Sequence, residues 1–450
     1  MPHLIIEEIF KLPLNKSPFV YYFWSMEIAA LYSIFLQYPV VQTDTRKLQK
    51  GNLYFALKGP NFNGNLFAKQ ALELGAAYAI IDEPAGFADE RLLYTTDVLT
   101  TLQALAKYHR QQFTIPFIAI TGSNGKTTTK ELVYEVLSTT HTTYTTQGNL
   151  NNHIGIPLTI LSVKKDAALA VIEMGANHQK EIEGYCKYTL PTHGIITNCG
   201  KAHLEGFGGE EGVRKGKGEL FAYLRANNGA IFLMSDYNYL VEMSHGIANV
   251  KTYGTQNADL VGVAEKNREM LVVLIKKGMA ISLIETNLVG DYNLPNVLVA
   301  IAVGKYFNVP DAKIQMAISS YLPTNSRSQL INKDTNKIIL DAYNANPTSM
   351  KAAIENIAGM PVANKVLLLG GMMELGDESL AEHTAIINLT KQHQWLSVVL
   401  VGGDFSKVPH PYIYFESSLQ AKEWLQQQDF QNCVMLVKGS RSMQMEKVLE

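Results

Sequence analysis

Apolar residues along the chain form short continuous runs, and the stretches between those runs repeat their apolar positions with a helical period. Near the N-terminus the order NLYFAL, FAKQALELGA, AYAIID predicts a strand, a helix and a strand. A second helix is predicted from Asp97 to Gln112, and an amphipathic helix from Met26 to Leu36 is expected to pack on the same domain. Residues 114–116, Thr-Ile-Pro, then interrupt the pattern, so we place the first domain boundary at residue 114.

The middle of the chain alternates buried strands with helices. The runs PFIAIT, ALAVIEMG, HGIITNCG and GAIFLMSD are mostly apolar, and helices are predicted over Thr127–Ser138 and Pro295–Phe307. Continuous apolar strands are typical of a parallel sheet that helices cover on both faces. A turn-rich break at residues 321–325 ends this region.

The same alternation resumes after that break, in the runs KIILDAYN, KVLLLGG, SVVLVGG and CVMLVKGS. The predicted fold class is therefore α/β with three domains. These are an N-terminal α/β domain (1–114), a central parallel-sheet domain (115–323) and a C-terminal Rossmann-like domain (324–450).

Composition excludes several classes of function. The 39 Lys and Arg residues nearly balance the 41 Asp and Glu residues, whereas a nucleic-acid binder usually carries a basic excess, so nucleic acid is not an expected partner. The three cysteines lack CxxC spacing, which argues against disulfides and structural zinc and favours a cytoplasmic location. The apolar segment 18–24 is too short to span a bilayer, and Glu27 interrupts it, so stable membrane insertion is not expected.

The segment TGSNGKTTT, residues 121–129, follows an apolar strand and opens a helix. Its glycines let backbone N–H groups turn toward a phosphate, and the helix N-terminus adds the positive end of its dipole. Lys126 can reach the β- and γ-phosphates, and the Thr127 hydroxyl can bind Mg²⁺. A glycine turn that merely precedes a helix is the alternative, but strand, loop and helix together favour an ATP site. The predicted phosphate-binding residues are Gly122, Ser123, Asn124, Gly125, Lys126, Thr127 and Thr128.

Candidate metal ligands lie farther along the chain. Glu173 closes the strand ALAVIE, where a carboxylate beside the phosphate loop can bind Mg²⁺. His203 follows the strand IITN, but histidine is an uncommon Mg²⁺ ligand, so a core or capping role is an equally good interpretation. On chemistry alone, Lys217 is interpreted as a solvated surface lysine.

Two asparagines and an arginine are candidates for nucleotide contacts. Asn293 and Asn296 open a helix, so N-capping competes with recognition of an adenine edge by their amides. Arg327 lies past the second domain break and can stabilise charge on a transferred phosphoryl group, although a surface arginine is the simpler interpretation.

The segment DAYNANP, residues 341–347, follows the strand KIIL. Asn and Pro suit a rigid turn before a helix. An acid at a strand end, followed by an aromatic ring and two amides, also suits contacts with ribose and adenine. The candidates are Asp341, Tyr343, Asn344 and Asn346.

These motifs, in this order, resemble those of the Mur ligases. The segments that carry the resemblance are TGSNGKTTTKE, TQGNLNNHIGIPLTIL, EMGANHQKEI, TNCGKAHLEGFGG, KGEL, DAYNANPTSM, GGMMELGDES and LVKGSRSMQMEKV. The resemblance runs from about Met26 to the C-terminus. The member that adds the third amino acid carries a DNPR motif, which is absent from this sequence, so the resemblance favours the dipeptide-adding member.

The resemblance implies an ATP-dependent amide ligase of peptidoglycan synthesis. ATP would phosphorylate the terminal carboxylate of UDP-N-acetylmuramoyl-tripeptide (UDP-MurNAc-tripeptide), and the amine of D-alanyl-D-alanine (D-Ala-D-Ala) would attack the acyl phosphate. The implied cofactors are ATP and two Mg²⁺ ions, and the implied form is a cytoplasmic monomer. A sister Mur ligase or a folylpolyglutamate-type ligase that adds a single amino acid is the alternative, and a non-catalytic P-loop switch is another.

The resemblance also assigns roles to single residues in the central and C-terminal domains. Glu173 and His203 match the metal-binding acid and histidine, and Lys217 matches a lysine that is carbamylated in several members and then binds Mg²⁺. The implied catalytic residues are Lys126, Lys217, His203 and Arg327. The implied nucleotide contacts are adenine at Asn293, phosphate at Arg327 and ribose at Asp341.

Substrate contacts are implied in all three domains. Thr45, Arg46 and Lys58 match the uridine-nucleotide site, and Lys438 falls where the incoming amino component is expected. The central stretch contributes Asn149, Asn151 and Asn152.

The sequence departs from the family pattern in three places. The segment 63–65 reads Asn-Gly-Asn where Asp-Gly-His is common, and Tyr292 stands where histidine is common. Residues 1–25 have no counterpart, so we expect them to be an extension that is dispensable for activity.

Overall fold

The structure of the protein is a computed structural model that describes residues 27–266, 268–323 and 326–450. The chain divides into two compact units, one ending at Leu105 and the other running from Ala106 to Glu450. The expected extension, residues 1–25, and the predicted helix start at Met26 lie outside the described residues.

The first unit contains a four-stranded parallel sheet in the order β1-β2-β5-β6 and the separate β3–β4 hairpin. The strands are β1 (Val41–Gln42), β2 (Leu53–Phe55), β3 (Lys58–Gly59), β4 (Phe62–Asn63), β5 (Tyr78–Ile81) and β6 (Leu92–Tyr94). The helices are α1 (Ile28–Gln37) and α2 (Ala68–Glu73), and α3 (Val98–Arg110) begins in this unit and ends in the second. Helix α1 is the predicted amphipathic helix, and it buries Leu31 and Phe35, which are one turn apart.

The second unit contains a nine-stranded sheet in the order β15-β14-β13-β12-β11-β10-β7-β9-β8. Its first strands are β7 (Phe117–Thr121), β8 (Thr143–Thr145), β9 (Leu169–Glu173), β10 (His193–Ile196) and β11 (Ala230–Met234). The later strands are β12 (Asn249–Gly254), β13 (Leu260–Ala264), β14 (Met270–Lys277) and β15 (Leu283–Val289). The helices between and after them are α4 (Lys126–Ser138), α5 (Gly155–Leu161), α6 (Glu181–Thr189), α7 (Leu204–Phe207), α8 (Glu210–Ala226), α9 (Asn238–Met243), α10 (Leu294–Tyr306) and α11 (Asp311–Ser320).

The parallel core of this sheet confirms the sequence prediction, but its far edge is antiparallel. Strands β13, β14 and β15 pair antiparallel, with Gly278 at a positive φ of 93° in the β14–β15 turn. The alternating burial along β15 suits an edge strand that is buried on one face only. Strand β14 does contain a continuous apolar run, MLVVLI, but such a run does not show whether a strand pairs parallel or antiparallel.

A six-stranded sheet in the order β16-β17-β21-β18-β19-β20 completes the second unit. Its strands are β16 (Gln329–Lys333), β17 (Asn336–Asp341), β18 (Lys365–Gly370), β19 (Ser397–Val401), β20 (Ile413–Phe415) and β21 (Val434–Lys438). Its helices are α12 (Pro347–Gly359), α13 (Ser379–Thr390) and α14 (Ser418–Gln426). All pairs are parallel except β16 with β17, so the predicted Rossmann-like α/β arrangement is confirmed with one added antiparallel strand.

Strand β7 marks the point where the order of the nine-stranded sheet reverses. The chain passes from β7 to β8 and β9 on one side and then crosses to β10 on the other side. Loops at the carboxyl ends of β7 and β10 therefore diverge around a crevice, which is the usual ligand site of an open α/β sheet.

No helix in the described part of the chain combines the length and apolar character that crossing a bilayer requires.

Candidate functional site

The loop between β7 and α4 has the strand–loop–helix form predicted for a phosphate site. Gly122 and Gly125 have positive φ values of 145° and 77°, which glycine adopts without strain. A side chain at Gly122 would clash with the Thr197 hydroxyl, and a Cβ at Gly125 would lie 2.6 Å from Asn296 Oδ1. Both positions therefore require glycine, and Gly125 immediately precedes the N-terminus of α4.

The end of β10 holds this loop in place. The Ser123 N–H donates to the Asn198 carbonyl oxygen at 2.9 Å, and the Asn124 N–H donates to Asn198 Oδ1 at 3.0 Å. The Thr197 hydroxyl donates to the Asn124 carbonyl oxygen at 2.6 Å. Thr197 and Asn198 were not among the predicted site residues. Their position directly after the buried strand β10 was the available signal.

Lys126 is a cation bonded only to its own loop among the described residues. Its Nζ donates to the Gly122 carbonyl oxygen at 2.7 Å and to that of Ser123 at 3.3 Å. Burial lowers the pKa of Lys126 to about 8, and the nearby charge of Arg327 also lowers it. A bound phosphate could replace these neutral carbonyl groups as the hydrogen-bond partner of Lys126. The cation would then have a partner of opposite charge.

Glu173 presents one carboxylate oxygen without a partner. Its side chain is buried, and Oε1 accepts hydrogen bonds from the Thr127 hydroxyl at 3.2 Å and Asn151 Nδ2 at 2.7 Å. The other oxygen, Oε2, is buried and has no hydrogen-bond partner. A buried carboxylate beside a hydroxyl fits a hard cation that also keeps water and phosphate oxygens as ligands, as Mg²⁺ does.

His203 lies at the start of α7 in a left-handed conformation, with φ of 53°. Its Nδ1 lies 2.6 Å from Glu374 Oε2, in an ion-pair contact without the direction of a hydrogen bond. The described residues contain no cluster of three or more His, Cys, Asp and Glu side chains that could hold a metal. Any metal site at Glu173 and His203 would therefore need ligands from the substrate, from water or from a modified side chain.

Lys217 is not the surface lysine that its chemistry suggested. It is 1% exposed, its Nζ donates to the Ala176 carbonyl oxygen at 3.0 Å, and it lies 4.8 Å from the centre of the Phe207 ring. Burial and the positive charge of Lys126 lower the pKa of Lys217 to about 7. A large fraction of this lysine is therefore a neutral amine near pH 7.

Asn293 and Asn296 are both buried, and neither side chain caps α10. Asn296 Nδ2 donates to Asn293 Oδ1 at 2.9 Å, and Asn296 Oδ1 accepts from the Thr129 hydroxyl at 3.0 Å. Asn293 Nδ2 donates to the Val289 carbonyl oxygen at 2.9 Å. The two amides thus fix the start of α10 against α4, and little of the hydrogen-bonding capacity of Asn293 is left for a ligand.

Arg327 and Tyr343 form a cation–π pair, with the guanidinium carbon 3.6 Å from the ring centre. The Arg327 Nε is buried and has no hydrogen-bond partner. A buried, unpartnered N–H on a cation next to the phosphate loop fits an anionic ligand.

Asp341 and Lys438 end the neighbouring strands β17 and β21, where they form an ion pair. Lys438 Nζ lies 2.6 Å from Asp341 Oδ2, and it also donates to the Asn344 carbonyl oxygen at 3.4 Å. The Lys438 side chain is almost fully buried. The structure therefore joins the residue predicted for ribose with the one predicted for the amino component.

Asn346 connects the six-stranded sheet to the phosphate loop. Its Oδ1 accepts the Ser349 N–H at 2.9 Å in a capping box at the start of α12. Its Nδ2 donates to Asn124 Oδ1 at 2.7 Å. The two segments predicted to contact nucleotide are therefore in direct contact.

These elements surround one cavity of about 920 Å³. The predicted residues in its wall are Ser123, Asn124, Gly125, Lys126, Thr127, Thr128, Asn151, Asn152, Glu173, His203, Asn293, Asn296, Arg327, Asp341, Tyr343, Asn344, Asn346 and Lys438. Three of the predicted residues of the central domain are not part of this wall: Gly122, Asn149 and Lys217. Lys217 does contact Ala176, which lines the cavity. Asn149 is exposed, and Asn152 Oδ1 accepts the N–H of Gly155, the first residue of α5, at 2.9 Å.

The candidate cations of the first unit are held by acids. Arg46 is 2.7 Å from Asp44, and Lys58 is 3.2 Å from Asp82 and 3.3 Å from Glu83. Hydrogen bonds to these acids raise the pKa values of both Arg46 and Lys58. Thr45 lies in the short helical turn between Asp44 and Arg46.

The segment that departs from the expected Asp-Gly-His pattern joins the same acids. Asn63 Nδ2 donates to Glu83 at 2.7 Å, and Asn65 Nδ2 donates to Asp82 at 2.8 Å. A Cβ at Gly64 would lie 2.6 Å from backbone atoms of residues 56 and 57, so glycine is required there.

Comparison with known proteins gives consistent matches over most of the chain. Three family models match: "Mur ligase family, catalytic domain" over residues 37–111, "Mur ligase middle domain" over 120–304 and "Mur ligase, glutamate ligase domain" over 326–441. A UDP-N-acetylmuramoyl-tripeptide–D-alanyl-D-alanine ligase of Bacillus subtilis is 37% identical over 75% of this chain and 74% of that protein. The ligase of the same name from Escherichia coli is 34% identical over 91% of this chain and 92% of that protein. The crystal structure of MurF from Acinetobacter baumannii superimposes with a TM-score of 0.83 and 30% identity, covering 91% of this chain and 92% of that one.

Proposed function

This chain belongs to the Mur ligase family, and we propose that it joins D-Ala-D-Ala to UDP-MurNAc-tripeptide with conversion of ATP to ADP and phosphate. The product is UDP-MurNAc-pentapeptide, a precursor of peptidoglycan. The name that the curated relatives carry supports this choice of substrates, and so does the absence of DNPR from the sequence.

The observation that carries the proposal is the composition of the cavity wall. A phosphate loop on the nine-stranded sheet and an unpartnered arginine N–H beside the six-stranded sheet face one space of about 920 Å³. That volume is large enough for a nucleotide together with a reacting carboxylate.

The residues then take the following roles in the reaction. Lys126 exchanges its carbonyl partners for phosphate oxygens, and Arg327 uses its free Nε–H to bind charge on the transferred phosphoryl group. A carboxylate is a poor electrophile, so phosphorylation supplies the leaving group. The amine of the dipeptide then attacks the acyl phosphate carbon, and the tetrahedral adduct expels phosphate to give the amide.

Glu173 and Thr127 are the residues that would hold Mg²⁺, with His203 as a further ligand. The unpartnered Glu173 Oε2 supports this assignment. Bound there, Mg²⁺ would neutralise negative charge on the phosphate oxygens.

We propose that a second Mg²⁺ ion is bound through a carbamate on Lys217. The amine attacks CO₂ and releases one proton, which turns a cation into an anion. The low pKa of Lys217 supports this, because only the neutral amine reacts. The ion pair with Glu374 would have to open if His203 binds a metal.

The remaining assignments are proposals of the same kind. The first domain (1–114) binds the uridine nucleotide through Thr45, Arg46 and Lys58, and the last domain (324–450) binds D-Ala-D-Ala near Lys438. Asn149, Asn151 and Asn152 contact the peptide substrate. The domain boundaries, the monomeric state and the cytoplasmic location stay predictions.

The test is phosphate release with ATP, Mg²⁺ and UDP-MurNAc-tripeptide, with D-Ala-D-Ala present or replaced by single amino acids. We expect release only with the dipeptide, together with formation of the pentapeptide product by mass spectrometry. Release with a single amino acid would move the protein to a sister ligase. Phosphate release that depends on neither UDP-MurNAc-tripeptide nor the amino substrate would overturn the ligase assignment.

A further inference from the structure

Two tyrosines in the wall of the cavity have no role in the function described so far. Tyr237 and Tyr239 follow β11, and both line the same cavity as the phosphate loop. Their ring centres are 5.6 Å apart, and the ring planes differ by only 10°. They therefore form a stacked aromatic pair on the wall of a site that must hold a nucleobase.

The local backbone makes this pair possible. Residues two positions apart in a helix do not face each other, so two tyrosines within α9 could not stack. Tyr237 is the N-cap of α9 with an extended backbone, at φ −102° and ψ 93°, and its side chain makes no capping hydrogen bond. Only Tyr239 belongs to the helix, and the ring of Tyr237, which precedes the helix, stacks against it.

Tyr239 is fixed from the loop that follows β10. Its hydroxyl oxygen accepts the Cys199 N–H at 3.1 Å, and the Arg214 guanidinium carbon is 5.2 Å from its ring centre. Tyr239 thus acts as a rigid support, and Tyr237 is the member of the pair that a ligand ring can join.

The sheet order places the pair at a suitable distance from the phosphate loop. Strand β11 is two positions from β7, with β10 between them, which corresponds to about 10 Å at the usual strand spacing. A nucleotide with its phosphates at Lys126 can extend its base across the carboxyl ends of β10 and β11. Asn293, the expected adenine contact, has its amide engaged with Val289 and Asn296, so other groups must supply much of the affinity for the base.

We infer that Tyr237, supported by Tyr239, is a stacking platform for the purine base of the nucleotide substrate. This rests on the proposed use of ATP and adds the residue that binds its base. Stacking uses the π-face that every base has, so the platform gives affinity with little discrimination between bases. Tyr237 contributes equally to the ground state and the transition state, because the base is remote from the reacting phosphate.

The experiment compares Tyr237→Ala with Tyr237→Phe in the full chain. For Tyr237→Ala we expect the KM for ATP to rise about tenfold while kcat stays unchanged. The KM values for the two other substrates should stay the same. Tyr237→Phe keeps the ring and should match the parent enzyme.

Direct binding separates this inference from the proposed ligase activity. Calorimetry with ADP and with inorganic tripolyphosphate, which lacks a base, needs no turnover. Tyr237→Ala should weaken ADP about tenfold and leave tripolyphosphate unchanged. Equal weakening of both ligands, or no change for ADP, would overturn the platform even if the enzyme is a ligase.

If Tyr237→Ala folds poorly, a second variant tests the inference through a fluorescence signal. Tyr237→Trp enlarges the platform, and its fluorescence should be quenched by ADP and unaffected by tripolyphosphate. No response to ADP in a variant that still turns over ATP would contradict the inference.

Discussion

Two lysines that are both expected to contact substrate have opposite environments. Lys126, in the phosphate loop, is bonded to carbonyl oxygens and has a lowered pKa of about 8. Lys58, in the first unit, is within 3.3 Å of two carboxylates, and hydrogen bonding raises its pKa. The first is a partly buried charge whose hydrogen-bond partners are neutral, whereas the second already contacts two carboxylates.

This difference indicates different tasks for the two cations. A partly buried cation that is hydrogen-bonded only to neutral carbonyl groups gains most when a phosphate binds, so its charge is available to the reaction. A half-exposed cation in an ion-pair network mainly positions its neighbours, and its charge is screened by water and by Asp82 and Glu83. Lys126 should therefore affect kcat, whereas Lys58 should affect binding and local stability.

Removal of the phosphate-loop cation should have the largest effect. Lys126→Ala should lower kcat for ligation by about 10²- to 10³-fold, because one preorganised charge on the transferred group is lost. Steady-state kinetics measures this, and the exposed Lys164→Ala serves as the control. A decrease of less than threefold would show that the contrast with Lys58 is wrong.

The unpartnered carboxylate oxygen leads to the second prediction. Glu173→Gln keeps an oxygen for Thr127 and Asn151 but removes the charge. The Mg²⁺ concentration for half-maximal activity should rise at least about tenfold, since even changes outside the ligand shell alter metal affinity by that factor. Magnesium titration checks this, and the exposed Glu135→Gln is the control. An unchanged midpoint would mean that Glu173 binds no metal.

The pH dependence of nucleotide binding sharpens the comparison further. Lys126 has a folded-state pKa of about 8, below its usual value, so it loses its charge as the pH rises through 8. ADP affinity, measured by calorimetry with EDTA present, should therefore fall by up to about tenfold per pH unit above 8. Lys126→Arg keeps its charge throughout this range and should flatten the profile. If the ADP affinity of the parent protein stays constant from pH 7 to 9.5, the loss of charge at Lys126 does not control nucleotide binding.

The smallest effects are expected at Lys58. Lys58→Ala should leave kcat unchanged, raise the KM for the UDP-linked substrate a few-fold and destabilise the protein by at most about 1 kcal/mol. Asp82 keeps hydrogen bonds from Asn65 and the Val98 N–H, which limits the loss. Urea denaturation and kinetics check this against the exposed Lys69→Ala. A loss of kcat as large as that of Lys126→Ala would remove the distinction between the two cations.

The elements that depend on local physics were predictable from adjacent residues. The phosphate loop was predicted because glycine turns, a preceding apolar strand and a following helix are all written in adjacent residues. The buried parallel strands were predicted for the same reason, since strands covered on both faces are apolar throughout. The antiparallel edge of the nine-stranded sheet was missed, because burial alternates along β15 and the apolar run of β14 does not show the direction in which that strand pairs.

Which charges are buried, and which groups already have partners, depends on how distant segments pack together. Nothing near Lys217 in the sequence reveals that it lies in the interior with a pKa near 7, because Phe207 and Ala176 reach it from other elements. The same holds for the Asp341–Lys438 pair, which joins residues almost a hundred positions apart. Residue types and short spacings can be read from neighbouring positions in the sequence. Burial and hydrogen-bond partners depend on packing between distant segments. Burial and partners together set the charge state of each candidate side chain.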